Sequence, residues 1–257
     1  MLQATSRRRP ADLLRQAQRR WSRLSTLVTL LLGTVALAPT AAVGQTAVEQ
    51  PAHSVAHLIA YVRPGSRVEL RDRPFGHVLA RVDSTTPFGS PRALAVVATR
   101  DQGRWLGVTD AASGRNRLVW ADARTSGLRL AGTSLELDVD LSRRTMVVRR
   151  GHTVIRHLSI GIGRPSSPTP VGRFAVTDKL DGRAYSPVYG CCIIALSAFQ
   201  PRLPSGWRGG NRIAIHGTLS STDFGAAVSA GCLHAGTRGL RFLMRNVRLG
   251  TPVVIRP

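Results

Sequence analysis

The sequence predicts a mainly β protein with one helix near its C-terminus, and three observations carry that reading. Turn formers are frequent, with 25 glycines and 15 prolines in 257 residues, more than a helical bundle tolerates. Apolar residues arrive in short runs broken by turn signals rather than at helical spacing. From Leu135 to Leu141 they alternate strictly with Glu136, Asp138 and Asp140, the period of a half-buried strand. A hydrophobic content of 43% with 19% charged residues excludes a mostly disordered or collagen-like chain.

Residues 1–24 hold seven arginines against Asp12, and residues 24–38 carry no charge. Small residues follow in 39–45. A basic segment, an apolar run and a small-residue exit describe a secretory signal, with cleavage expected after Gly44. The alternative is an uncleaved anchor, although the run is shorter than the ~20 residues of a spanning helix. Residues 1–44 are therefore a signal peptide or N-terminal anchor. Both readings place the rest of the chain outside the cytoplasm. Residues 45–57 lack periodicity and read as a linker.

Residues 58–132 read as a small β module. Strand candidates are Val68–Leu70, His77–Val82, Leu94–Ala98, Arg104–Val108 and Leu118–Trp120, punctuated by Pro74, Gly76, Pro87, Gly89, Pro91 and Gly103. Short strands with frequent turns suggest a small barrel. The rhythm, and the stretch Arg104-Trp105-Leu106-Gly107-Val108, resemble a bacterial Src-homology-3-like module. No cluster of titratable groups stands out there, so a spacer or wall-binding role is expected rather than catalysis.

Residues 133–257 continue with strands at Leu135–Leu141, Thr145–Arg149, Thr153–Ile160, Arg173–Thr177, Ile213–Ile215 and Val253–Ile255. Leu240, Leu243, Met244 and Val247 fall at helical spacing. Thr237 is expected to cap this helix, and Gly250 with Pro252 to end it.

The formal charge is +22, from 36 basic residues against 14 acidic, and Lys179 is the one lysine. Such a charge attracts polyanions: nucleic acid, anionic lipid or anionic cell-wall polymer. Export, the scarcity of aromatic residues and the lack of a nucleic-acid-binding motif argue against nucleic acid.

The chemistry lies near the C-terminus. Three cysteines, Cys191, Cys192 and Cys232, are an odd number for an exported protein, so at least one is a free thiol or pairs between chains. Cys232 follows Gly231, expected in a turn that lets substrate approach closely. His216 ends an apolar strand and precedes Gly217. A cysteine and a histidine can form a nucleophile and its base. A buried structural cysteine and a satisfied core histidine are the alternatives at this point. Adjacent Cys191-Cys192 lacks the spacing of a structural zinc site, and no metal is expected. A disulfide between these two neighbours is possible but geometrically strained.

Residues 133–257 resemble the catalytic domain of the L,D-transpeptidases, the YkuD-type family of bacterial cell-wall enzymes. The matching pieces run in order: the strand pair Leu135–Arg149, Ser159-Ile160-Gly161, Thr169 to Phe174, Ala214-Ile215-His216-Gly217, Ser229-Ala230-Gly231-Cys232, and Leu249 to Val253. The resemblance implies a β-sandwich-like catalytic domain and needs no cofactor. Carried over by position, Cys232 is the nucleophile and His216 its base, oriented by the carbonyl of Gly217. Backbone N–H groups around Gly231 and Cys232 hold the oxyanion, and Ser229 shapes the loop. Two positions depart from the family pattern: Ala230 stands where a second histidine is usual, and His234 where Arg or Asn is usual. His234 reads equally as a polar contact or as an exposed loop residue.

The resemblance implies transpeptidation of peptidoglycan stem peptides through a Cys thioester, joining third-position residues. A non-catalytic wall-binding protein on the same scaffold and an L,D-carboxypeptidase using the same thiol are the rival readings. The segment Tyr185–Phe199 is expected near the site, because the family places a substrate-covering segment there. One of Cys191 and Cys192 is expected to be able to bond to Cys232 as an oxidative switch, against a bland reading of both as small apolar residues.

Overall fold

A computed structural model describes residues 57–114, 116–207 and 210–257. The expected signal or anchor at 1–44, and the linker up to its last residue, lie outside them. The structure is mainly β, with sixteen strands and one α-helix among the described residues.

Seven strands form the first sheet: β1 (His57–Val62), β2 (Arg67–Arg71), β3 (Val78–Asp83), β4 (Ala93–Arg100), β5 (Trp105–Thr109), β6 (Val119–Asp122) and β7 (Leu128–Thr133). They run in the order β3-β2-β6-β5-β4-β1-β7, every pairing antiparallel. Leu70, Leu94, Leu106, Val108 and Val119 fill a core separate from that of the second sheet. All five strand candidates form. The sequence reading does not single out the outer pair β1 and β7; β7 (LRLAGT) carries little β signal of its own and is held by pairing with β1.

The second sheet is built from β8 (Leu135–Asp140), β9 (Thr145–Arg150), β10 (Thr153–Gly163), β11 (Gly172–Leu180), β12 (Ile193–Phe199), β13 (Arg212–His216), β14 (Ala227–Ser229), β15 (Leu233–Ala235) and β16 (Pro252–Arg256). Eight of them close on themselves in the order β10-β15-β13-β12-β11-β16-β8-β9 and back to β10. Closure is possible because β10 is eleven residues long. Its first part pairs with β9 and its last part with β15, with β14 added beyond. The expected sandwich-like packing thus takes the form of a barrel, which removes the open edges of a sheet.

The alternation in β8 holds, with one informative exception. Asp138 is buried, although its position was expected to face outward. Arg256 grips both of its oxygens at 2.7 Å, which supplies the partner a buried carboxylate needs. The helix α1 (Thr237–Asn246) turns Leu240 and Leu243 into the barrel core, with Val247 just beyond its end. Thr237 is not its cap. The N-cap is Gly236, which has no side chain to accept a bond, and Thr237 is the first helical residue.

The two sheets meet through polar contacts. Asn116 reads the backbone of Phe199 twice, donating to its carbonyl at 2.6 Å and accepting from its N–H at 2.7 Å. Thr86 donates to the buried Asp178, and Tyr61 donates to the Leu249 carbonyl at 3.2 Å.

Candidate active site

Strands β13 and β15 are parallel neighbours, with Ile215 opposite Leu233 and His216 opposite His234. In-register residues share a face, so the two imidazoles stand side by side, ring centres 4.9 Å apart. Cys232 precedes β15 directly. Cys232, His216, His234 and Ser229 all line one cavity of about 400 Å³, whose wall also carries Tyr189, Gln200 and Trp207.

His216 is buried, at 4% exposure. Its Nδ1 lies 2.7 Å from the carbonyl oxygen of Gly217. A carbonyl only accepts, so Nδ1 carries the proton and Nε2 keeps its lone pair. Tyr189 closes the other side, its ring edge-on to the imidazole at 4.8 Å. The Tyr189 carbonyl accepts the Gly217 N–H at 2.8 Å. A Cβ at position 217 would lie 2.8 Å from that same oxygen, so only glycine lets the two backbones approach this closely. Burial pushes His216 down to about 4, against the Gly217 hydrogen bond that favours its charged form and with a smaller push from His234. Its resting state at neutral pH is the uncharged imidazole.

Cys232 is a half-buried free thiol. Burial raises it above its ordinary value, against a backbone hydrogen bond at Ala214. The thiol points at the Arg212 carbonyl, 3.8 Å away. Cys232 and His216 thus rest as a neutral thiol and a neutral imidazole rather than as a thiolate and an imidazolium.

The turn before Cys232 is held by side chains. Ser229 donates to the Cys232 carbonyl at 2.6 Å and accepts the Gly231 N–H at 3.0 Å. That second bond occupies the Gly231 N–H, one of the two backbone donors expected at the oxyanion. Thr169 donates to the Gly231 carbonyl at 2.8 Å, and Gln200 donates to the Ala230 carbonyl at 3.1 Å. Gly231 has φ +120°, a region side chains rarely enter, and a Cβ there would strike the Gln200 amide.

Residues 135–255 match the family model of the L,D-transpeptidase catalytic domain, YkuD. Over these residues the chain is similar to the L,D-transpeptidases. Among solved structures, an L,D-transpeptidase from Mycobacterium smegmatis is 19% identical, with 64% of this chain and 82% of that one covered and a TM-score of 0.39. L,D-transpeptidase 1 from Mycobacterium tuberculosis is 19% identical, with 55% and 77% covered and a TM-score of 0.34. An L,D-transpeptidase solved with imipenem is 17% identical, with 64% and 90% covered and a TM-score of 0.40. No curated protein matches the chain.

In the region that matches this family model His234 is neither an exposed loop residue nor without a role in the packing. Its side chain is 14% exposed, and Nδ1 lies 2.8 Å from Asp223 Oδ2. Thr218 donates to the same oxygen at 2.5 Å. The Thr218 and His234 hydrogen bonds hold Asp223 below the usual carboxylate range, so it stays ionised. Asp223, Tyr189 and Gln200 escaped the sequence reading. Asp223 left one signal, an acid between two motif blocks of an arginine-rich chain.

Cys191 and Cys192 are bonded to each other, with Cα atoms 3.7 Å apart. Both sulfurs are thereby occupied, and neither is available to Cys232. This corrects the expected switch and also the reading of the pair as simple apolar residues. The segment that holds them does lie at the site, through Tyr189.

Proposed function

We propose that this chain is a peptidoglycan L,D-transpeptidase acting through a thioester on Cys232. The observation that carries the reading is the fixed tautomer of His216. With Nδ1–H committed to Gly217, the Nε2 lone pair is a neutral base in the cavity that holds a free thiol. On substrate binding the Cys232 thiol turns from the Arg212 carbonyl toward His216. Nε2 takes the thiol proton as sulfur attacks the carbonyl of the third stem residue. The same proton passes to the amine of the terminal D-alanine, which leaves. An amine from a neighbouring stem then attacks the thioester, forming a cross-link between two third-position residues and freeing the thiol. No carboxylate is needed behind His216, because a carbonyl fixes its tautomer and the imidazolium is transient.

The remaining parts of the reading follow from charge and the N-terminal pattern. The protein works outside the cytoplasm on the cell wall, and its arginine excess retains it on anionic wall polymers. Release from isolated walls by salt tests that retention; binding indifferent to ionic strength would count against it.

The decisive experiment is intact mass of the reduced full chain after incubation with a carbapenem, beside Cys232→Ala. The expected result is one covalent adduct on the parent and none on the variant. An unmodified, folded parent would reject the thioester mechanism.

A further inference from the structure

The reaction just described has a proton to dispose of that His216 alone does not handle. A basic alkyl amine reaches the site as an ammonium. To become an amide N–H it must lose two protons, and the departing sulfur needs only one. His216 is poorly suited to keep the second, since it is buried and has only a carbonyl at its back.

His234 differs on each count. It is in register with His216 and lines the same cavity as Cys232. Its Nδ1–H is committed to an ionised carboxylate, because Asp223 only accepts in that state. That leaves Nε2 as the nitrogen with a lone pair. A positive charge formed on this ring lies against the Asp223 carboxylate, and Thr218 anchors the same oxygen. His234 is partly exposed, which gives the proton a way out.

We infer that His234, held by Asp223, is a second general base that deprotonates the acceptor ammonium in the second half-reaction, while His216 serves the thiol. The inference rests on the proposed transpeptidase function and extends it. The step balances as follows. Ammonium gives its first proton to His234 Nε2. The amine nitrogen attacks the thioester carbonyl, the C–N bond forms and the C–S bond breaks. The second nitrogen proton passes through His216 to the Cys232 sulfur. His234 then releases its proton to solvent. The products are an amide, a free thiol and one proton. The acceptors this arrangement favours are strongly basic primary amines, such as the side-chain amine of a diamino acid.

The test separates the two half-reactions on the full chain. Acylation is followed by intact mass with a synthetic tetrapeptide donor ending in D-alanine. Transfer is followed with two acceptors: Nα-acetyl-lysine, an ammonium at pH 7, and methoxyamine, which arrives neutral. In His234→Asn the ratio of transfer to acylation should fall about 10²-fold with the lysine amine, the scale of a lost general base, and by far less with methoxyamine. Asp223→Asn should shift the ratio the same way by a smaller factor, which guards against misfolding of the first variant. An equal loss with both acceptors, or no loss with the lysine amine, would overturn the second-base role. A parent that never forms the thioester would instead overturn the proposed function itself, and the two failures are told apart by the acylation signal.

Discussion

Both sheets bury charged or titratable side chains, and they do so to opposite ends. In the first, Arg92 and Asp110 form a buried pair at 3.0 Å, with exposures of 9% and 2%. Arg92 also donates to the carbonyls of Asp83 and Thr85, and Asp110 accepts the Ala112 N–H. These bonds give both buried charges their partners, and the cluster locks loops together. In the barrel, His216 is buried as deeply, but its Nδ1 is bonded and Nε2 keeps its lone pair, on a residue that lines the same cavity as the Cys232 thiol. Burial with complete pairing gives rigidity. Burial with one valence left open gives a group whose protonation can be used.

The comparison is tested most severely by removing one member from each side. His216→Gln should slow carbapenem acylation of Cys232 by about 10²–10⁴-fold, the usual contribution of a positioned base. Stopped-flow or mass kinetics on folded protein measures it. A rate within a few-fold of the parent would place His216 with the structural residues.

Asp110→Asn should cost roughly 3–5 kcal/mol of stability, because it strands a buried guanidinium. Denaturant unfolding reads that loss. The acylation rate per folded molecule should stay near that of the parent, since the cavity wall contains no residue of the first sheet. A loss of rate without a loss of stability would erase the contrast.

The smallest effect concerns pH. Folded His216 titrates at about 4, below its ordinary 6.5. Between those values the unfolded chain binds a proton that the folded chain refuses. The stabilisation is therefore complete above pH 6.5 and is lost as pH falls toward 4, at most about 3 kcal/mol. In His216→Gln this share of the acid sensitivity should vanish, leaving only that of the carboxylates. An unchanged pH slope in unfolding experiments would mean that His216 is not held neutral by burial.

Much of the fold was legible in the sequence because it is local. Period-two alternation marked β8, and Leu240, Leu243 and Val247 marked α1. Strands such as β14 and β15, of three residues each, are too short to carry a period. They exist because β10 and β13 offer them edges. The helix cap was misread for a related reason: threonine's preference for the cap position is weak against the geometry that places Gly236 there.

For the site, residue order by itself determined the candidates. Cys232 after a glycine, and His216 at the end of an apolar strand, stand out as chemistry-bearing residues. Tertiary structure alone decided what state each is in. The tautomer of His216 depends on the direction of the Gly217 carbonyl. The environment of His234 depends on Asp223, eleven residues earlier. The fate of Cys191 and Cys192 depends on which sulfur each meets. Composition and periodicity record which groups are present and which face they share. Protonation and reactivity depend on ångström-scale distances to partners that folding brings together, and a sequence holds no direct record of those distances.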